Sequence, residues 1–99
     1  MHKYLAEYTD TFGGEANYSW VKRATISVPE WSAFRDWDGN GRREPKAYQR
    51  TVMRRAKAAL GLSGLRGKTH HYGDMIEFRP YRMACVLFVT WSDYCSEDA

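Results

Sequence analysis

Lys46, Arg50, Arg54 and Lys57 recur at intervals of three and four, and Arg42 and Arg43 stand just ahead of them. At that spacing the side chains share one side of a helix. A row of ammonium and guanidinium groups is suited to holding phosphates or an acidic protein surface. The same cations also serve as a solvated helix face, which adds helix propensity and solubility. Their concentration favours the binding reading. Residues 42–68 carry nine basic residues against Glu44 alone, a local charge of +8 in a chain whose net charge is +3. The rest of the chain is therefore mildly acidic, and the folded protein is expected to be electrically polarised.

Two further groups invite a chemical reading. Asp36-Trp37-Asp38-Gly39-Asn40-Gly41 resembles the first half of a calcium loop, whose oxygen ligands fall at alternate positions before a helix. The twelfth position, where a bidentate carboxylate belongs, is Ala47, and Arg42 and Arg43 would crowd a divalent ion. Glu44 at the ninth position offsets this only in part, and hydrogen-bonded Asx turns account for the same residues. His70 and His71 precede Asp74 and Glu77. On a strand, adjacent histidines point to opposite faces, so the two do not ligate one metal. His70, Asp74 and Tyr72 would share a face, and a His–carboxylate pair has the makings of an acid–base dyad. No nucleophile or third ligand has a readable place beside it. Accordingly no catalytic residue, metal or cofactor is assigned, and an enzyme is not expected.

These groups need elements to position them. Arg82-Met83-Ala84-Cys85-Val86-Leu87-Phe88-Val89-Thr90-Trp91 is apolar at nearly every position and reads as a strand near the middle of a sheet. It is too short to span a bilayer as a helix. Residues 3–9 and 18–28 alternate as strands, with a glycine-broken loop over 10–17 between them. A short helical stretch fits around 30–37. Glu44-Pro45 starts the main helix, Tyr48, Val52, Ala56, Ala59 and Leu60 give it one buried face, and Gly61 ends it. Residues 69–78 read as one strand, bulged near Gly73, and Arg79-Pro80-Tyr81 turns it into the apolar run. The expectation is one α+β domain over 1–99: a four-stranded antiparallel sheet in ββαββ order, the basic helix on one face, and a short flexible acidic tail at 96–99.

Composition is consistent with this. The chain has 43% hydrophobic residues, with four Trp, seven Tyr and four Phe, enough to build one core. A domain this small leaves some of those rings at the surface, where Tyr and Trp beside Arg anchor interfaces. Cys85 and Cys95 are too few for a disulfide framework, and the first residues carry no apolar export signal. Both features point to the cytoplasm.

Residues 9–23, from Thr9 through Phe12-Gly13-Gly14 to Arg23, and residues 67–80, with His70-His71-Tyr72-Gly73-Asp74, resemble small proteins of bacteriophages and prophages. The resemblance implies a context. Such proteins commonly bind and block a host machine, anti-CRISPR inhibitors among them. The expected function is a non-enzymatic inhibitor acting in the bacterial cytoplasm. It would contact a host protein or ribonucleoprotein complex through Arg42, Arg43, Lys46, Arg50, Arg54, Lys57 and nearby aromatics. The alternative is sequence-tolerant binding of nucleic acid by the same cations.

Overall fold

A computed structural model describes residues 2–42 and 44–91. Arg43, Cys95 and the tail at 96–99 lie outside the described residues. Strands β1 (His2–Phe12) and β2 (Glu15–Val28) are followed by a 3-10 turn (Trp31–Ala33) and helix α1 (Lys46–Ala59). Strands β3 (Gly67–Tyr72), β4 (Met75–Pro80) and β5 (Cys85–Trp91) come next and are the last of the described elements. The class is α+β, as expected, but the antiparallel sheet has five strands, in the order β2-β1-β5-β4-β3.

The fifth strand comes from the segment read as one bulged strand. Tyr72 pairs with Met75, so Gly73 and Asp74 form a two-residue hairpin loop rather than a bulge. Gly73 takes φ +57, which primed hairpin turns demand of their first residue. The Gly13-Gly14 pair makes the same kind of turn, with φ +63 and +87, and both strands run up to it. The loop expected over 10–17 is therefore mostly strand.

The apolar run does form the central strand, and Val86, Leu87 and Val89 are fully buried. Cross-strand partners share a face. Tyr4, Ala6 and Tyr8 thus stand beside Ile26, Ala24, Val89 and Leu87, with Ile76 and Phe78 on β4 continuing the layer. Helix α1 closes this layer with Tyr48, Val52 and Ala56, all at most 1% exposed. Each large apolar side chain buried here contributes about 1.5–3 kcal/mol.

Both ends of α1 are fixed. At the C-terminus Leu62 N–H donates to Lys57 O (2.7 Å) and Gly61 N–H to Ala58 O (3.3 Å), with Gly61 at φ +75. This is the Schellman pattern that a left-handed glycine permits. At the N-terminus Pro45 supplies no side-chain cap, and the free amides of Lys46 and Ala47 donate instead to Asp36 Oδ2 (2.7 and 3.3 Å).

The long β1–β2 hairpin slips register between Thr9 and Thr11, leaving residues 17–20 opposite Asp10 alone. Tyr18 takes φ +56 in this bulge. Asp10 accepts hydrogen bonds from Ser19 Oγ (2.6 Å), Ser19 N (3.0 Å) and Asn17 Nδ2 (3.0 Å). Arg79 Nη1 donates to Gly14 O (2.7 Å), which ties the hairpin tip to β4 on the sheet face away from α1.

Candidate functional site

The expected cation row is only partly an outward-facing stripe. Lys46, Arg50 and Arg54 are exposed along α1, and Arg42 is exposed in the loop before it. Lys57 is turned inward: its Nζ donates to Leu65 O (3.1 Å) and sits 3.9 Å from the centre of the Phe78 ring. Loss of hydration lowers its pKa. Arg55, on another side, donates through Nη1 to Ser27 O (2.6 Å) and anchors α1 to β2.

Arg66 completes what the sequence pattern did not suggest. Loop residues Ser63, Gly64, Leu65 and Arg66 lie against Arg50, Met53, Arg54 and Lys57, enclosing an open groove of about 460 Å³. Among the described residues, no Asp or Glu lines it. Its apolar side is Met53 and Leu65, which pack against the core. The ion pairs Arg23–Glu7 (2.8 Å) and Arg79–Glu77 (3.1 Å) lie on the opposite sheet face and take no cation from it. Guanidinium groups so placed offer flat, multiple donors to phosphate or carboxylate.

The Asp36–Gly41 segment is a structural turn. Asp36 spends its carboxylate on the helix amides, and Asp38 Oδ1 accepts from Asn40 N and Gly41 N, each at 2.9 Å. Reduced hydration pushes the Asp36 carboxyl up, but the amides of Ala47 and Lys46 and the charge of Arg50 outweigh it, so the net shift is downward. Among the described residues, no group of three or more His, Cys, Asp or Glu is arranged to hold a metal ion.

The histidines divide between faces, and His70 keeps Tyr72 beside it as expected, but not Asp74. The tight turn at Gly73-Asp74 interrupts the strand alternation. His71 therefore joins Asp74, while the His70 ring lies 6.1 Å from Tyr72 on the other face. The His70–Asp74 dyad is not formed. Instead His71 and Asp74 border a second concavity of about 290 Å³, between the start of β1, the N-terminal end of α1 and the β3–β4 turn. His2, Tyr4, Trp31, Glu44, Tyr48, Gly73, Ile76 and Trp91 complete its lining.

A hydrogen-bonded chain forms part of this wall. The Tyr48 hydroxyl lies 2.8 Å from His2 Nδ1 and 2.5 Å from the Tyr4 hydroxyl. Burial pushes the Tyr4 phenol far up, and its bond to Tyr48 adds to the shift. Burial also raises Tyr48. Glu44 is raised by loss of hydration, offset in part by a hydrogen bond from Gln49 and by His71 and His2. Among the described residues the lining holds four aromatic rings, two histidines and two carboxylates, a set suited to binding.

The fold and these two concavities define an α+β domain with one helix on a five-stranded sheet, basic along the outer side of the helix and acidic and aromatic at the helix's beginning. No protein-family model, curated protein or solved structure matches the chain.

Proposed function

We propose that the protein is a non-enzymatic binding protein that docks its basic groove on an acidic macromolecular surface and thereby blocks it. The carrying observation is the convergence of Arg50, Arg54 and Arg66 on one concavity that, among the described residues, no carboxylate lines. Exposed Lys46 and Arg42 extend the positive field beyond the groove. Met53 and Leu65 supply the apolar contact that a purely electrostatic encounter lacks. The resemblance of residues 9–23 and 67–80 to phage proteins directs the choice of partner to a host defence complex of the CRISPR type, a ribonucleoprotein in the bacterial cytoplasm.

Direct nucleic-acid binding is the second reading. It is favoured by the openness of the groove and by three arginines that can each hold a phosphate in two-pronged fashion. One experiment separates the two. Wild type and the Arg50→Glu/Arg54→Glu variant are compared for inhibition of purified CRISPR-type complexes, and for mobility shift of random DNA and RNA across a salt series. The proposal expects inhibition by wild type, its loss in the variant with circular dichroism unchanged, and no shift of free nucleic acid. A shift at low salt that fades steeply, with a logarithmic slope of about −0.9 per phosphate on duplex DNA, selects the second reading. Equal behaviour of wild type and variant in every assay rejects both.

A further inference from the structure

The 290 Å³ cavity lies apart from the basic groove and shares no lining residue with it. We propose that it is a binding site for a small organic cation, an ammonium group carried on apolar substituents.

Three observations converge on that chemistry. The first is size: the volume is just under the roughly 300–1,000 Å³ of pockets that take drug-sized molecules, so the occupant is small. The second is the wall. Trp31, Trp91 and Tyr48 border the space, and the electron-rich face of an aromatic ring attracts a cation, Trp most strongly. The rings are held by one another and by the His2 ring, which meets Tyr48 edge-on at 5.7 Å and Trp91 at 6.2 Å, so the wall is preorganised.

The third is charge. Glu44 and Asp74 border the cavity, and among the described residues no Lys or Arg does. Glu44 is short of hydration, which disfavours its ionised form. A bound cation supplies the missing counter-charge, whereas an anion would meet two carboxylates. A neutral apolar ligand would add nothing to the partial compensation that Gln49, His71 and His2 give Glu44. Asp74 is placed by backbone, since Trp91 N–H donates to Asp74 O (2.9 Å) and fixes the turn against the end of β5. The other titratable groups facing the space are His2, His71, Tyr4 and Tyr48. A protonated imidazole would compete with the ligand for Glu44, so binding is strongest where both histidines are neutral and Glu44 is ionised.

The test uses the full chain and two molecules of one shape, choline and its uncharged analogue 3,3-dimethylbutan-1-ol, read by calorimetry and Trp fluorescence. Methylammonium and tetramethylammonium are added to cover smaller occupants. The expected result is binding of at least one cation, with choline about tenfold tighter than the alcohol. Glu44→Gln should remove most of that preference while the alcohol's affinity stays unchanged. Asp74→Asn, in an exposed turn, serves the same purpose should the first variant lose its native circular dichroism. Arg50→Glu/Arg54→Glu should leave choline binding unaltered, which keeps this site distinct from the proposed docking groove. Equal affinity for choline and the alcohol overturns the proposal, as does absence of binding for all three cations up to roughly 50 mM.

Discussion

The Tyr4 and Tyr48 hydroxyls meet at 2.5 Å, although 44 positions separate them in the chain. The contact locks the start of β1 to the first turn of α1, and His2 Nδ1 joins it at 2.8 Å from Tyr48. Tyr48→Phe removes the shared partner and leaves the Tyr4 hydroxyl in a buried setting. The expected loss is about 1–3 kcal/mol in chemical denaturation. Adding Tyr4→Phe should cost less than the sum of the single changes, because the second substitution removes the group the first one stranded. Strict additivity would mean the two hydroxyls do not depend on each other.

Two carboxylates should impose opposite pH dependences. Hydrogen bonds from Ser19 and Asn17 hold Asp10 well below the usual carboxylate range. A depressed folded-state pKa gives stability that is present above the unfolded value and is lost as pH falls through the folded one. Asp10→Asn should therefore flatten the stability profile on the acid side. Glu44 is raised by loss of hydration, so its contribution is present below its unfolded value and is lost as pH rises through the folded one. Glu44→Gln should help more at pH 7 than at pH 4. Carboxyl-carbon NMR titration of each residue, beside melting curves at several pH values, checks both signs.

Gly67 is required for contact rather than for turning. A Cβ there would run into the carbonyl of Arg79 on the paired strand. Backbone, unlike the end of a flexible side chain, cannot swing away. Gly67→Ala should cost about 1–3 kcal/mol and loosen β3 first, because β3 is an edge strand. Amide exchange should speed up in residues 67–72 before it does in β5. Uniform protection across the sheet would show that the edge absorbs the extra methyl.

Asp36 caps a helix that begins ten residues after it. Asp36→Ala should lower the melting temperature, and Asp36→Asn should retain part of the difference, since an amide oxygen still accepts from Lys46 N–H. Millimolar calcium should leave the wild-type melting temperature unchanged, because the carboxylate is already engaged by Lys46 and Ala47. A calcium-dependent rise in stability would restore the ion-binding reading of the segment.

What could be seen in the sequence was whatever repeats at short range. Tyr48, Val52 and Ala56 report a helix at every turn, Gly61 ends it by its own backbone freedom, and the run from Cys85 to Trp91 needs no partner to announce a central strand. The hairpin at Gly73 was harder to read because residues on either side of a two-residue turn continue to alternate, so bulge and reversal leave similar patterns. Caps normally flank their helix, which hid Asp36. The aromatic cavity gathers residues from His2 to Trp91, and no local spacing encodes such a meeting. Lys57 misled for the opposite reason: periodicity placed it on the basic side, but a long side chain can reach back over its own helix to an apolar ring.

That last departure can be tested directly. Arg50 and Arg54 are exposed, and reversing either to Glu should change stability by no more than about 0.5 kcal/mol. Lys57 donates to Leu65 O and covers Phe78, so Lys57→Ala should cost about 1–2 kcal/mol through lost packing, the lost hydrogen bond and the lost ring contact. The same substitution loosens the 63–66 loop that brings Arg66 to the groove, so partner affinity should fall even though the ammonium itself faces inward. Denaturant midpoints for the three variants, compared with their partner affinities, separate the roles: Arg50 and Arg54 should affect binding alone, and Lys57 both quantities. If Lys57→Ala matched Arg54→Glu in stability and in binding, the ammonium would belong with the outward cations.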